Sequence, residues 1–437
     1  MQRKYFINTY GCQMNVHESE KLAGILISRG YSEAQNIEDA DIVVFNTCCV
    51  RETAEQRVLG NLGIVKKLKE SKPNLKVAVC GCMAQKKGSA ESLKKRCPFI
   101  NVIFGTHNIH KFGEFLDNID RGVKFQCEVL DTEGQIVEGV PVYRTSGVNA
   151  WVNISYGCNN FCSYCIVPYV RGRERSRCES QIIDDVKSLI ADGYKEITLL
   201  GQNVNSYGND LADENINFAN LLDKLANLDG KFKVRFMTSH PKDLSEDVVK
   251  VIASSEKLAD FIHLPIQAGS DRILDLMNRR YTKMDYLKRI DMIRKYIPNV
   301  GLSSDIMVGF PTETEEDFLE TVDVIKRVRY NNLFTFIYSR RSGTPADKME
   351  QIPLAVKKER IKKLIDLQFE IGNEEALACV GKTYEVLCAE SKNGRVMGKS
   401  SCEKAISFAG SPELVGKFVP VKITGTKNNQ LKGEIVE

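Results

Sequence analysis

Continuous apolar, β-branched runs alternate with helical spacing twice along this chain, and that pattern admits few folds. In the first 115 residues, Lys4-Tyr-Phe-Ile-Asn-Thr9, Asp41-Ile-Val-Val-Phe-Asn46 and Lys76-Val-Ala-Val-Cys80 read as strands. Between them, Glu18–Ser28 (Leu22, Ile25 and Leu26 on one face, Gly30 beyond its end) and Glu52–Glu70 read as helices. Strands that are apolar throughout and joined by helices predict a parallel sheet covered on both faces. From about Pro141 to Glu375 the alternation restarts, with strands expected at Ala150–Ser155, Glu196–Leu200, Lys233–Thr238, Phe261–Leu264, Gly301–Val308 and Leu333–Tyr338. Six such units predict a partial (β/α)6 barrel. A charged helix is expected over Val356–Glu374. From Gly381 the texture changes to short alternating strands broken by glycine, which predicts a small antiparallel β-barrel. The chain is therefore α/β with three domains, 1–118, 141–375 and 376–437.

The bulk numbers narrow the setting. Hydrophobic residues make up 43% and charged residues 27%, the balance of an ordinary water-soluble protein. The N-terminus runs straight into strand-like sequence, and no apolar stretch reaches the roughly 18 residues that a membrane span needs. A cytoplasmic protein without a membrane partner is the expectation. In that compartment fourteen cysteines read as metal ligands or buried thiols and not as disulfides. The net charge of +4 permits a nucleic-acid partner without requiring one.

Two sets of thiols stand out. Cys12, Cys48 and Cys82 each lie just past the carboxyl end of a predicted strand, the edge where open α/β sheets bind ligands. Cys49 and Cys80 are rivals within this set. Cys80 should point into the sheet, so Cys48 and Cys82 are preferred alongside Cys12. The second set is local: Cys158, Cys162 and Cys165, spaced three and two residues apart with Tyr164 before the last, directly after the first strand of the second unit. A structural zinc site uses four protein ligands, whereas a four-iron cluster on three thiolates keeps one iron open. Each set supplies three.

Other residues fit binding roles. Gly201, Gln202 and Asn203 follow the second barrel strand, Gln267 follows the fourth, and Asp305 lies within the fifth. His240 and His263 sit nearby, but a hydrogen-bonded structural histidine explains each equally well. Arg171, Arg173, Arg175 and Arg177 alternate directly after the cysteine triplet, where planar guanidinium groups would suit phosphate oxygens. Gly381–Glu437 holds nine Lys or Arg against six Asp or Glu, a modestly basic barrel compatible with RNA.

The triplet resembles that of the radical S-adenosylmethionine superfamily, and the C-terminal segment resembles a TRAM domain. The whole chain resembles the methylthiotransferase family, and within it the synthases of 2-methylthio-N6-isopentenyladenosine (dimethylallyladenosine) in tRNA. Tyr10-Gly-Cys-Gln-Met-Asn15, Asn46-Thr-Cys-Cys-Val-Arg-Glu52, Cys165-Ile-Val-Pro-Tyr-Val-Arg-Gly172, Gly201-Gln-Asn-Val-Asn205 and Arg235-Phe-Met-Thr-Ser-His-Pro241 carry the resemblance. It implies two [4Fe-4S] clusters. The one on Cys158, Cys162 and Cys165 would bind S-adenosylmethionine and generate a deoxyadenosyl radical. The auxiliary one, on Cys12, Cys48 and Cys82, would hold sulfur that a second S-adenosylmethionine methylates. A methylthio group would then join carbon 2 of the adenosine at position 37. Gly201, Gln202, Asn203, Gln267 and Asp305 would contact S-adenosylmethionine. The resemblance further implies tRNA as partner, an electron donor such as flavodoxin or ferredoxin, and a monomer. The alternatives are a sibling acting on threonylcarbamoyladenosine in tRNA or on a ribosomal-protein aspartate, and a non-catalytic RNA-binding zinc protein.

Overall fold

Ile42 and Val44 turn to one face of their strand, Val43 and Phe45 to the other, and all four are fully buried. That period-two burial on both sides is what a sheet between two helical layers requires. The computed structural model describes residues 2–49, 52–130, 134, 136–144 and 147–436; Val50 and Arg51 of the Asn46–Glu52 run lie outside them. The chain divides into two compact units. One is Met1–Ser146 with Tyr156–Asn159 and Cys165–Arg175; the other is Gly147–Ser155, Asn160–Tyr164 and Ser176–Glu437.

The first unit runs β1 (Arg3–Thr9), α1 (Gln13–Ser28), β2 (Tyr31–Glu33), β3 (Ile42–Thr47), α2 (Glu52–Ser71), β4 (Lys76–Gly81), α3 (Cys82–Gln85), α4 (Ser89–Arg96), β5 (Val102–Phe104), α5 (Phe112–Asp120) and β6 (Gln126–Glu128). All six strands are parallel, in the order β2-β1-β3-β4-β5-β6. Helices α1 and α5 cover one face through Leu22, Leu26, Phe112 and Phe115, while α2 and α4 cover the other through Val58, Leu62 and Leu93. The chain goes from β1 outward to β2 and then back across to β3. The order reverses between β1 and β3, a topological switch point of the kind that opens a ligand crevice at the carboxyl edge.

Beyond it come β7 (Asn149–Asn153), β8 (Ser155–Tyr156), α6 (Val167–Arg171), β9 (Arg175–Ser176), α7 (Glu179–Ala191), β10 (Glu196–Leu200), α8 (Phe218–Ala226), β11 (Lys233–Phe236), α9 (Glu246–Ser254), β12 (Phe261–His263), α10 (Asp271–Leu276), α11 (Lys283–Tyr296), β13 (Gly301–Val308), α12 (Glu315–Val328) and β14 (Asn332–Ile337). The barrel strands form two parallel ladders, β11-β10-β7 and β12-β13-β14, around one shared apolar core from Ala150 to Ile371. Between the ladders a single parallel bridge joins Val234 to Leu258. Capping boxes at Thr282 with Asp285 and Thr314 with Asp317 start α11 and α12.

Helix α13 (Leu354–Leu377) leads to a closed barrel of β15 (Thr383–Lys392), β16 (Arg395–Ser400), β17 (Ala405–Ala409), β18 (Phe418–Lys427) and β19 (Gln430–Ile435), ordered β15-β16-β17-β19-β18. Four of its pairings are antiparallel, and β17–β19 is parallel. Among the described residues no helix is long and apolar enough to cross a membrane.

Candidate active site

Motif residues lace together the loops that carry the first thiol set. Asn15, fully buried, donates from Nδ2 to the carbonyl oxygens of Tyr10 (2.9 Å) and Thr47 (3.1 Å). Asn46 donates back from its own Nδ2 to Asn15 O at 2.8 Å. The loops after β1 and β3, bearing Cys12 and Cys48, are thus tied side by side. Gly11, at φ +119°, makes the approach possible: a Cβ there would stand 2.7 Å from Cys48 Cβ and 3.0 Å from its Sγ. Thr47 Oγ1 donates to Cys80 O, joining β3 to β4 just before Cys82. Cys80 itself is wholly buried in the sheet's apolar layer, and burial pushes its thiol up.

Cys82 opens α3 and packs with Cys49, Ile166 and Val170. The Cys49 thiol donates to it and the Arg171 guanidinium lies beside it, so Cys82 is held below the ordinary thiol range. The structure therefore brings the rival Cys49 against Cys82. Cys48 turns towards Gly11.

The second set lies in the short loop between β8 and α6. Cys158 N donates to Gly172 O at 3.1 Å. Gly157, at φ +79°, admits this return of the chain, since a Cβ would meet Arg173 O at 2.0 Å. Cys162 is buried at 7% exposure and receives Arg279 Nη1 at 3.6 Å.

At the carboxyl ends of β7, β10 and β11 several buried polar atoms have no hydrogen-bond partner among the described residues: Ser155 Oγ, both amide atoms of Asn205, Ser239 Oγ and His240 Nε2. Burying such groups unpaired costs free energy, so their concentration at one strand edge marks a site that a polar ligand would complete. Thr238 (φ 76°), just past β11, and Gln267 (φ 73°), past β12, hold left-handed backbone, strain of the kind found at functional sites.

The residues expected to contact S-adenosylmethionine lie around this edge with different degrees of freedom. Gly201 packs on Ser155 Oγ and Gln202 is half-buried beside it. Asn203 accepts from His240 N (3.1 Å) and donates to Asp243 (2.7 Å), so its amide is committed internally. Gln267 N donates to Asp305 O at 2.9 Å, and the Asp305 carboxylate stands 3.7 Å from His263 Nε2. His240 is kept neutral by burial and surrounding arginines.

Residues 4–105 match the uncharacterised protein family UPF0004, residues 152–325 the radical SAM superfamily and residues 377–436 the TRAM domain. Proteins named tRNA-2-methylthio-N(6)-dimethylallyladenosine synthase from Clostridium botulinum (strain Alaska E43 / Type E3) and Clostridium tetani (strain Massachusetts / E88) are 54% and 52% identical. These matches cover 100% and 99% of this chain and 96% of each relative. The chain belongs to this synthase family. Among solved structures, the radical S-adenosylmethionine methyltransferase TsrM from Kitasatospora setae, with cobalamin and a [4Fe-4S] cluster bound, superposes with a TM-score of 0.57. It is 14% identical, over 95% of this chain and 82% of that one. The cobalamin-dependent enzyme OxsB gives 0.52 at 11% identity, over 85% and 58%. At those identities the likeness is one of fold.

Membership of a radical SAM family brings S-adenosylmethionine and an iron–sulfur cluster into question at these residues, and the donor set fits. All six candidate ligands are thiols, and orphaned polar atoms line the adjacent strand edge. Among the described residues no three His, Cys, Asp or Glu side chains form a group suited to one metal ion. A four-iron cluster spreads its thiolates farther apart than a single ion does.

The four alternating arginines need correction. Only Arg173 is exposed. Arg171, 4% exposed, donates to both carboxylate oxygens of buried Glu18 (2.7 and 3.2 Å) and to Asn15 Oδ1 (3.1 Å). Arg177, 5% exposed, holds Asn153 O (2.8 Å) and Asp185 (3.0 Å), and Arg175 reaches Gly134 O and Arg171 O. Their alternation reflects internal anchoring and not a row of phosphate contacts. Sequence reasoning missed Ser155, Ser239 and above all Arg279. The first two lie inside segments already singled out, whereas nothing local marks Arg279.

Proposed function

We propose that this chain transfers a methylthio group to carbon 2 of N6-dimethylallyladenosine at position 37 of tRNA, consuming S-adenosylmethionine both as radical source and as methyl donor. The observation that carries this reading is a pair of three-thiol sets, one in a single loop after β7 and one on the carboxyl ends of β1, β3 and β4. Carbon 2 of adenine bears a C–H with no acidic proton, so no general base among the described residues could activate it. When bound, an iron–sulfur cluster with an open iron supplies one-electron cleavage of the sulfonium. Cys158, Cys162 and Cys165 would hold that cluster, and Cys12, Cys48 and Cys82 an auxiliary one.

The chain's own residues supply position and shelter. Ser155, Asn205, Ser239 and His240 offer buried donors and acceptors for the polar groups of S-adenosylmethionine, with Gly201, Gln202, Gln267 and Asp305 around them. Asn203 orients His240 by accepting its N–H. The C-terminal barrel, residues 377–436, would hold the tRNA. A monomeric cytoplasmic enzyme reduced by flavodoxin or ferredoxin completes the reading.

Anaerobic reconstitution tests it. Iron and acid-labile sulfide should each approach about eight per chain and fall to half of that in C158A/C162A/C165A and likewise in C12A/C48A/C82A. Retention of the auxiliary cluster in C48A, with its loss in C49A, would reassign that ligand. Incubation with S-adenosylmethionine, reduced flavodoxin and isopentenylated tRNA, followed by digestion, should yield the methylthio nucleoside. Zinc without sulfide, or a modified ribosomal protein in place of the nucleoside, overturns the assignment.

A further inference from the structure

Arg279 is 4% exposed, and its guanidinium makes four hydrogen bonds, none of them to a carboxylate. Nε donates to Tyr281 Oη at 2.8 Å, Nη2 to Pro265 O at 2.5 Å, and Nη1 to Tyr164 Oη at 3.5 Å and Cys162 Sγ at 3.6 Å. Among the described residues no Asp or Glu stands within ion-pair distance of it. Buried charges in proteins are normally paired. Tyr164 and Tyr281 are phenols, which ordinarily stay neutral near pH 7, so the partner suited to carry negative charge as a metal-bound thiolate is the sulfur of Cys162.

The backbone holds this contact in place. Arg279 sits just past α10, between Asn278 (φ 58°) and Arg280 (φ 58°), both in the left-handed region. Asn278 Nδ2 donates to Asn160 O (3.2 Å) and Phe161 O (3.0 Å). Ser163 binds back through N to Met277 O (3.0 Å) and Oγ to Leu276 O (2.7 Å). Four hydrogen bonds thus clamp the end of α10 onto both sides of Cys162, and Phe161 takes φ 48° to allow it. Arg171 makes an instructive contrast beside Cys82: its charge is balanced by Glu18 at 2.7 Å.

We propose that Arg279 is a positioning residue for the triplet's cluster, donating to the Cys162 sulfur and offsetting the negative charge that the cluster gains when it accepts an electron. The inference rests on the reading that Cys162 is a cluster ligand. A hydrogen bond to a ligating sulfur and a nearby cation both favour the reduced form, since added charge is costly in a poorly solvated site. The electron comes from a low-potential donor, and no bond is made or broken at Arg279.

The test is a dithionite titration of the reconstituted full chain, followed by electron paramagnetic resonance. The triplet's cluster is recognised as the one whose signal changes on adding S-adenosylmethionine. In R279Q the reduced-to-oxidised ratio of that cluster at a fixed potential should fall at least tenfold, about 59 mV for one electron. R279K, which keeps the charge but loses the fork, should fall less, and the auxiliary cluster should not move in either. An unchanged ratio in R279Q overturns the proposal, as does an equal shift of both clusters, which would indicate general loosening. If R279Q does not retain the cluster, R279K decides: a lowered ratio supports the role and a wild-type ratio overturns it. If R279K also loses it, the apo variant's urea midpoint decides: a wild-type midpoint places the defect at the ligand, and a lowered midpoint makes Arg279 merely structural. An iron content unchanged in C158A/C162A/C165A would instead sink the ligand reading itself.

Discussion

Glu18 and Arg171 are both nearly inaccessible and meet in a two-pronged ion pair, which makes the consequence of losing one partner predictable. Arg171→Met would strand a buried carboxylate, at an expected cost of about 3–5 kcal/mol. E18M/R171M removes both charges and should recover most of that loss. Urea unfolding of the apo chain reads both, and equal destabilisation by single and double variants would rule the pairing out. Nearby, His107 shares a small cleft with Glu18, Lys21, His110 and Arg175, and burial together with Arg175 draws its imidazole down to about 4. Its folded pKa lies below the unfolded value near 6.5. Above that value it contributes nothing, and as pH falls from 6.5 towards 4 the unfolded chain takes up the proton first and stability drops. His107→Gln should therefore lose less stability than the wild type between pH 7 and pH 5; parallel losses would refute this. At this scale the triplet Cys158, Cys162 and Cys165 stood out because its spacing is local. Arg171 was misread because Glu18, 153 positions away in sequence, is invisible from its neighbourhood. Arg279 escaped notice for the same reason, at 117 positions from Cys162.

Elements declared themselves wherever apolar runs were long. The expected strands near residues 4–9, 41–46, 196–200 and 301–308 match β1, β3, β10 and β13 within a residue or two. β2, β5 and β6 are three residues each and too short to carry a period. α1 begins at Gln13, five residues earlier than its apolar stripe suggests, because buried Asn15, His17, Glu18 and Ser19 form the polar side of the site. Docking of the C-terminal barrel was equally illegible. Arg235, on β11, pairs with Glu196 at the start of β10 and donates to Ser400 O (2.8 Å) and Ser401 O (3.0 Å) in the β16–β17 turn. Ser401 Oγ in turn accepts from Asp260 N at 3.0 Å. The turn therefore seats at the amino ends of the barrel strands, opposite the edge that carries the orphaned polar atoms. Arg235→Met leaves Glu196 unpaired and two carbonyl oxygens unsatisfied, so the small barrel should loosen from its seat. Limited proteolysis should then cut near residues 377–382 at least several-fold faster, and an unchanged rate would show that α13 alone holds the barrel in place.

At the scale of the whole molecule, the edge that would do chemistry and the small barrel that would hold RNA are separate, which makes their contributions separable in kinetics. Lys392, Lys417, Lys427 and Lys432 are exposed on the small barrel, and none has an ion-pair partner among the described residues. Lysines of that kind bind phosphates by displacing counterions, a term that depends on salt and is blind to base identity. Replacing all four by glutamine should weaken tRNA binding and flatten the plot of log affinity against log salt by about 0.7–0.9 for each phosphate no longer neutralised. All four lie on the barrel whose β16–β17 turn seats at the amino ends of β10 and β11, away from the carboxyl edge that carries Ser155, Asn205, Ser239 and His240. Methylthiolation at saturating tRNA should therefore keep its wild-type rate while KM for tRNA rises. Reductive cleavage of S-adenosylmethionine without tRNA should be unaltered. An unchanged salt slope would show that the small barrel's charge does not meet the backbone. A fall in the saturated rate with KM unmoved would mean that the barrel acts on the chemistry itself, contrary to the division of labour argued from its position.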